Sequence, residues 1–247
     1  MQRPQGRRLG GAAPWLGEGA SAAWLGGAAA ARLVGPGAAA AASTRRDAGA
    51  AGGVQNGLEA AVARARAAHP DRPVEVWATD EHRLGPQPVR RRVWAPAGAR
   101  PIALGHHRYR WLHVTAFARP TSGEAVWYLS SGLSKPLFAA LLAASARRTG
   151  AGRERRIVLV LDNAGWHGPA GLAVPDGIGP VFRPPYSPEP QPADRLRPLL
   201  DEPIVDRQLA TLGELDAIIA ERRRRPDPAT IKPHTDFHWW PRPTKPN

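Results

Sequence analysis

From Leu58 to His69 (LEAAVARARAAH) apolar positions recur at helical spacing, and the pattern stops before Pro70, whose ring crowds a helical predecessor. The next run, VEVWATD over Val74–Asp80, predicts a strand with Asp80 at its C-terminal end. Arg92–Ala95 and Arg110–Phe117 predict further strands. Pro120-Thr121-Ser122-Gly123 predicts a turn, and Glu124–Leu129 a returning strand. These make an antiparallel meander beside the first strand.

Lys135–Thr149 predicts an amphipathic helix with Leu137, Phe138, Leu141 and Leu142 on one face. Ile157–Asp162 (IVLVLD) is apolar without alternation, as in a strand covered on both faces and parallel to its neighbours. Val181-Phe182 predicts a short strand. A helix starts near Pro192 and carries Leu196, Leu199 and Leu200, with Pro198 and Pro203 interrupting it. Thr211 and Glu214 predict a capping box for a last helix bearing Leu215, Ile218 and Ile219 and ending in Arg222–Arg225. The order predicts an α/β fold: a mixed sheet, antiparallel meander plus parallel strands, flanked by helices.

Residues 1–55 differ from the rest. Between Gly10 and Gly53 they are mostly Ala and Gly, with little large apolar surface to offset ordering entropy, so this low-complexity segment is expected to be disordered or irregularly helical. The apolar run after Arg7-Arg8 is broken by Pro14 and Glu18, and its continuation by Arg32, Gly35 and Pro36. That argues against a signal or membrane segment, and the expected location is cytoplasmic. Residues 56–225 form the predicted domain, and 226–247 a basic tail rich in Pro and Trp.

The chain has 247 residues and a formal net charge of +13, and all but three of its 34 Lys and Arg residues are arginine. A GC-rich coding bias favours Arg over Lys but does not by itself produce the surplus, which points to a polyanionic partner. Cysteine is absent, which excludes disulfide scaffolds, thiolate metal sites and cysteine nucleophiles. A metal would need oxygen or imidazole ligands, which favours Mg²⁺ or Mn²⁺.

Two acids occupy equivalent positions, Asp80 after the first strand and Asp162 after the buried one. If those strands are adjacent and parallel, both carboxylates leave the sheet at the edge where ligands gather in open α/β folds. Two such carboxylates repel unless a proton or cation lies between them. The alternative is that each acid forms a turn or caps a helix. Asp194, in the first turn of a predicted helix, is the candidate third acid, with Glu81 and Glu189 as competitors. Asp201 and Glu202 read as solvated helix-face acids.

DEHRLG (Asp80–Gly85), VWAPAG (Val93–Gly98), VLVLDNAGWH (Val158–His167), PPYSPEPQPADRL (Pro184–Leu196) and DEPIVDRQ (Asp201–Gln208) occur in that order. Over about residues 56 to 240 the chain thereby resembles the catalytic domain of the mariner-like transposase superfamily, above all its bacterial insertion-sequence 630 branch. The resemblance implies an RNase H-like fold for 56–225 and an acidic triad, Asp80, Asp162 and Asp194, that holds two Mg²⁺ or Mn²⁺ ions. It further implies cutting of double-stranded DNA at element ends and joining of those ends to target DNA, with a homodimer as the assembly. Asp194 stands where this branch usually carries Glu, Arg197 where a Trp is common, and Pro190 where a Leu is usual. The helix-turn-helix modules that precede this domain in such transposases have no counterpart in residues 1–55, which read as a shifted frame or a decayed gene.

Asn163, His167 and Glu81 are candidates to line the site, against local hydrogen bonding for His167 at a helix start. Arg90, Arg91 and Arg92 form a basic run suited to DNA phosphates, or else a solvated hairpin face. Trp77, Trp94, Trp111 and Trp127 read as sheet packing, His106-His107 as structural or exposed, and Trp239-Trp240 beside Arg242 and Lys245 as a surface for DNA or a second subunit. Two other functions remain open: a catalytically inactive remnant that only binds DNA or pairs with an intact subunit, and an RNase H-like nuclease unrelated to mobility.

Overall fold

A computed structural model describes residues 33–34, 47–85, 95–98, 110–183, 191–207 and 209–242. Its helix α1 spans Asp47–Ala68 and begins earlier than the periodicity at Leu58 predicts, inside the Ala-rich stretch expected to be disordered or irregularly helical; Ala is the strongest helix former. Five strands follow: β1 (Val74–Leu84), β2 (Leu112–Arg119), β3 (Glu124–Ser130), β4 (Arg156–Leu161) and β5 (Ile178–Phe182). Their order in the sheet is β3-β2-β1-β4-β5. β1–β2 and β2–β3 are antiparallel, whereas β1–β4 and β4–β5 are parallel, which is the mixed sheet the sequence predicts. A separate short pairing joins Leu33–Val34 to Ala95–Pro96, so only the end of the strand predicted over Arg92–Ala95 is described.

β4 is buried along Ile157–Leu161, as its unbroken apolar run requires of a strand parallel to both neighbours. Helix α2 (Lys135–Thr149) covers one face of the sheet, where Phe138, Leu141 and Leu142 meet Trp77, Phe117, Leu159 and Leu161. Ser134 caps its first turn by accepting from the Leu137 N–H. Gly150 ends it at φ 73°, a left-handed conformation that costs glycine no Cβ clash.

The opposite face is covered in two parts. Over β1 and β4, Leu58 and Val62 of α1 pack with Val76, Val158, Ala193 and Trp240. Over β1 to β3, Leu84, Leu112, Val114 and Trp127 meet α3 (Arg197–Asp201), α4 (Leu212–Arg222) and α5 (Pro228–Thr235) through Leu200, Leu215, Ile219 and Ile231. The predicted cap of α4 is present: Thr211 Oγ1 accepts from the Glu214 N–H, and Glu214 reaches back to the Ala210 N–H.

One expectation changes here. Trp240 is 1% exposed within the core, so it is not a docking surface; α5 and the turn after it fold the chain back onto the sheet. Pro198 and Pro203 interrupt the helix as expected but go further, each lying in the first turn of a separate short one, where a missing N–H leaves no bond unmade. A 3₁₀ turn over Ala193–Leu196 leads into α3, so the chain turns tightly against β1 instead of running on as one helix.

Candidate functional site

β1 does not end at Asp80. Its parallel pairing with β4 stops at Ala78↔Val160, while its antiparallel pairing with β2 continues to Leu84↔Leu112. Asp80 therefore lies on a strand that is still paired on one side and open on the other. The last parallel pair, Ala78↔Val160, lies two residues before both acids, so Asp80 and Asp162 leave the β1–β4 pairing at the same end of the sheet, with Asp80 on the face that Ala78 shares.

The 3₁₀ turn and α3 lie against that face. Gln191, buried, donates from Nε2 to the Thr79 carbonyl at 2.7 Å and ties the turn's entry to β1. Asp194 and Arg197 follow at a spacing of three residues. Arg197 donates to Asp80 Oδ2 at 2.9 Å, and its Nε stands 2.6 Å from Asp194 Oδ1. One guanidinium thus joins two of the three acids. The Asp80 carboxyl is raised from an ordinary 3.8 to about 6: burial raises it most, and Arg197 counteracts only part of that. Two residues further along β1, His82 shares a 2.6 Å hydrogen bond with Asp201. Asp201 is therefore a partly buried partner of β1 rather than a solvated acid.

Glu81 points to the other face, as strand alternation demands. There His167, fully buried and packed against Phe138 at 4.2 Å between ring centroids, donates from Nε2 to Glu81 Oε1 at 3.0 Å and from Nδ1 to Asp162 Oδ1 at 2.6 Å. Trp166 Nε1 donates to the other Glu81 oxygen at 3.3 Å. Burial opposes a charge on His167, but its bonds to Asp162 and Glu81 prevail and lift it from 6.5 to about 9. The same bond from His167 holds the Asp162 carboxyl below the usual range, helped by the Ala164 N–H that also donates to Oδ1. Asn163 is exposed and donates to the Arg183 carbonyl.

The candidates therefore divide into two joined groups: Asp80 and Asp194 about Arg197, and Asp162 and Glu81 about His167. Among the described residues no group of three or more acid or imidazole side chains closes on one point that could hold a metal. The donor set is nevertheless one of hard carboxylate oxygens, the chemistry that Mg²⁺ and Mn²⁺ accept. Arg197 and His167 are the cations that now neutralise those oxygens. Glu189 and Arg90, Arg91 and Arg92 lie outside the described residues, as do Trp94 and His106-His107.

The role of Arg197 escapes a reading of the sequence, although its spacing from Asp194 suits a charge pair on one turn. The His82–Asp201 pair carries no local signal at all. Of the four arginines at the end of α4, Arg222 donates to the Leu199 carbonyl and Arg223 to the Trp127 carbonyl, so part of the positive charge serves internal packing. Among the described residues no helix is long and apolar enough to cross a membrane.

Residues 75–216, more than half of the chain, match the family model of the DDE superfamily endonuclease. No curated protein sequence matches the chain. Among solved structures it is similar to the Mos1 transposase paired-end complex with left transposon end, at a TM-score of 0.50 and 14% identity over 74% of this chain and 56% of that one. It is also similar to the Mos1 mariner paired end complex with Mn, at a TM-score of 0.51 and 15% identity over 74% of this chain and 57% of that one. The chain thus spans a little over half the length of those transposase chains, and at such identity the likeness is one of fold: an RNase H-like sheet with helices on both faces.

Proposed function

Because the chain belongs to the DDE superfamily endonucleases, we propose that it is the catalytic part of a DNA transposase of the bacterial insertion-sequence 630 type. It cuts double-stranded DNA at element ends and joins those ends to target DNA, as a homodimer in the cytoplasm. Asp80, Asp162 and Asp194 would hold its divalent ions, two Mg²⁺ or Mn²⁺.

What supports this reading is one relationship: Asp80 and Asp162 each follow the last β1–β4 pair, Ala78↔Val160, by two residues, and the turn bearing Asp194 packs against β1 there. When bound, the metal supplies Lewis-acid stabilisation of charge on the phosphate oxygens. The side chains do the positioning. His167, charged at neutral pH, keeps Asp162 ionised and fixes its orientation through Oδ1. Gln191 anchors the segment that carries Asp194. Asp80, raised to about 6 by burial, is a carboxylate at pH 7.5 and ready to meet a cation. The net charge of +13 supplies long-range attraction to DNA.

The test is nicking and end-joining of DNA bearing the element's inverted repeats, with and without Mg²⁺. Loss of both reactions in Asp80→Asn, Asp162→Asn and Asp194→Asn supports the assignment; nicking that survives these changes overturns it. A second reading, a DNA-binding remnant without catalysis, draws on Arg197 lying between two of the acids. It expects salt-sensitive DNA binding and no cleavage with any divalent ion.

A further inference from the structure

Arg197 stands where a divalent cation would be expected. Its guanidinium reaches Asp80 Oδ2 at 2.9 Å and Asp194 Oδ1 at 2.6 Å, so two acids that would otherwise repel share one positive charge. The contacts are unequal. The bond to Asp80 is well directed, whereas Arg197 Nε and Asp194 Oδ1 are both buried without a hydrogen-bond partner despite their proximity. The Asp194 contact is one of charge held by position, which leaves that oxygen ready for a better ligand.

A guanidinium and a divalent ion cannot share the pair. Mg²⁺ or Mn²⁺ takes carboxylate oxygens at about 2 Å with twice the charge, and the guanidinium fills that space. Arg197 also has a way out. Its side chain is 43% exposed, and Asp201 lies one turn further along the same short helix. The backbone itself is held, because Pro198 begins α3 and Leu196 is buried beneath it.

We propose that Arg197 is a built-in competitor for the divalent ion: its guanidinium neutralises Asp80 and Asp194 in the metal-free protein and must swing off the pair, toward solvent and Asp201, before an ion can bind. The inference rests on the reading of these acids as metal ligands. It makes the affinity of those acids for an ion depend on residue 197.

Titration of the full chain with Mn²⁺, with free ion followed by electron paramagnetic resonance, tests this directly without reference to cleavage. Arg197→Ala is expected to bind Mn²⁺ about tenfold more tightly than the parent chain, since a full positive charge leaves the site. The gain should disappear when Asp80→Asn is added. If Arg197→Ala does not fold, Arg197→Gln keeps the length of the side chain without its charge and should show the same gain. Equal or weaker binding by a folded, neutral variant overturns the role of Arg197 and leaves the metal-site reading standing. Absence of Mn²⁺ binding at millimolar ion by both the parent and the folded variant overturns both.

Discussion

His167 and Asp162 are joined from Nδ1 to Oδ1 at 2.6 Å, and the other ring nitrogen of the same buried imidazole lies 3.0 Å from Glu81. A ring that donates from both nitrogens is an imidazolium, so the far end of β4 is clamped to β1 by a buried cation between two carboxylates. The clamp fixes one candidate ligand from the face opposite Asp80 and makes the stability of the domain depend on pH.

His167 is raised from 6.5 to about 9 in the folded protein. A raised base stabilises fully below its unfolded value and ceases to do so as pH climbs through the folded one. Unfolding free energy from urea titrations should therefore decline between pH 6.5 and 9. His167→Gln should flatten that slope and cost about 2 kcal/mol at pH 6, because the buried Glu81 and the partly exposed Asp162 lose their counter-charge. Asp162 is shifted the opposite way: its contribution is present above its ordinary value of 3.8 and lost as pH falls through the lower folded one. Asp162→Asn should flatten the acid limb.

Asp80 carries the reverse sign. As an acid raised from 3.8 to about 6, it favours folding when protonated, and that contribution is lost as pH rises through the folded value. At pH 7.5 its charge costs about 3 kcal/mol, with the Arg197 bond already counted. Asp80→Asn is expected to abolish DNA cleavage and yet raise Tm at pH 7.5, with the gain shrinking toward pH 5. A lower Tm for the variant at pH 7.5 would show that the bond to Arg197 outweighs burial.

Trp240 fills the layer between α1 and the sheet, against Leu58, Val62, Val76 and Val158. Trp240→Ala should lower stability by about 3–5 kcal/mol in guanidinium titrations, the cost of a large buried cavity. A change below about 1 kcal/mol would place the indole at the surface instead.

Gly123 turns β2 into β3 at φ 78°, directly beneath the Pro228 carbonyl at the start of α5. A Cβ there would run into that oxygen. Gly123→Ala should therefore cost about 2 kcal/mol or more, from the left-handed backbone and the displaced helix together. Thermal melts of the two proteins measure it.

Much of this architecture is written in short stretches of the chain. The unbroken apolar run of Ile157–Leu161 announces a strand covered on both faces, and Thr211 with Glu214 announces the start of α4. Residues 80 and 81 fall on opposite faces by alternation alone. Such features depend on neighbours within a few positions, where backbone geometry sets which side chains meet. Asp80 already misleads, because the end of its parallel pairing is set by where β4 stops and not by anything in β1.

By itself, then, the sequence determined the elements, the mixed sheet and the acids worth watching. Only the tertiary structure decided what neutralises those acids. Arg197 meets Asp80 across 117 residues, His167 meets Glu81 across 86, and Trp240 closes the core from the far end of the chain. A charge contact depends on distance in space and on the water removed around it, and both are settled only when separate segments pack against one sheet.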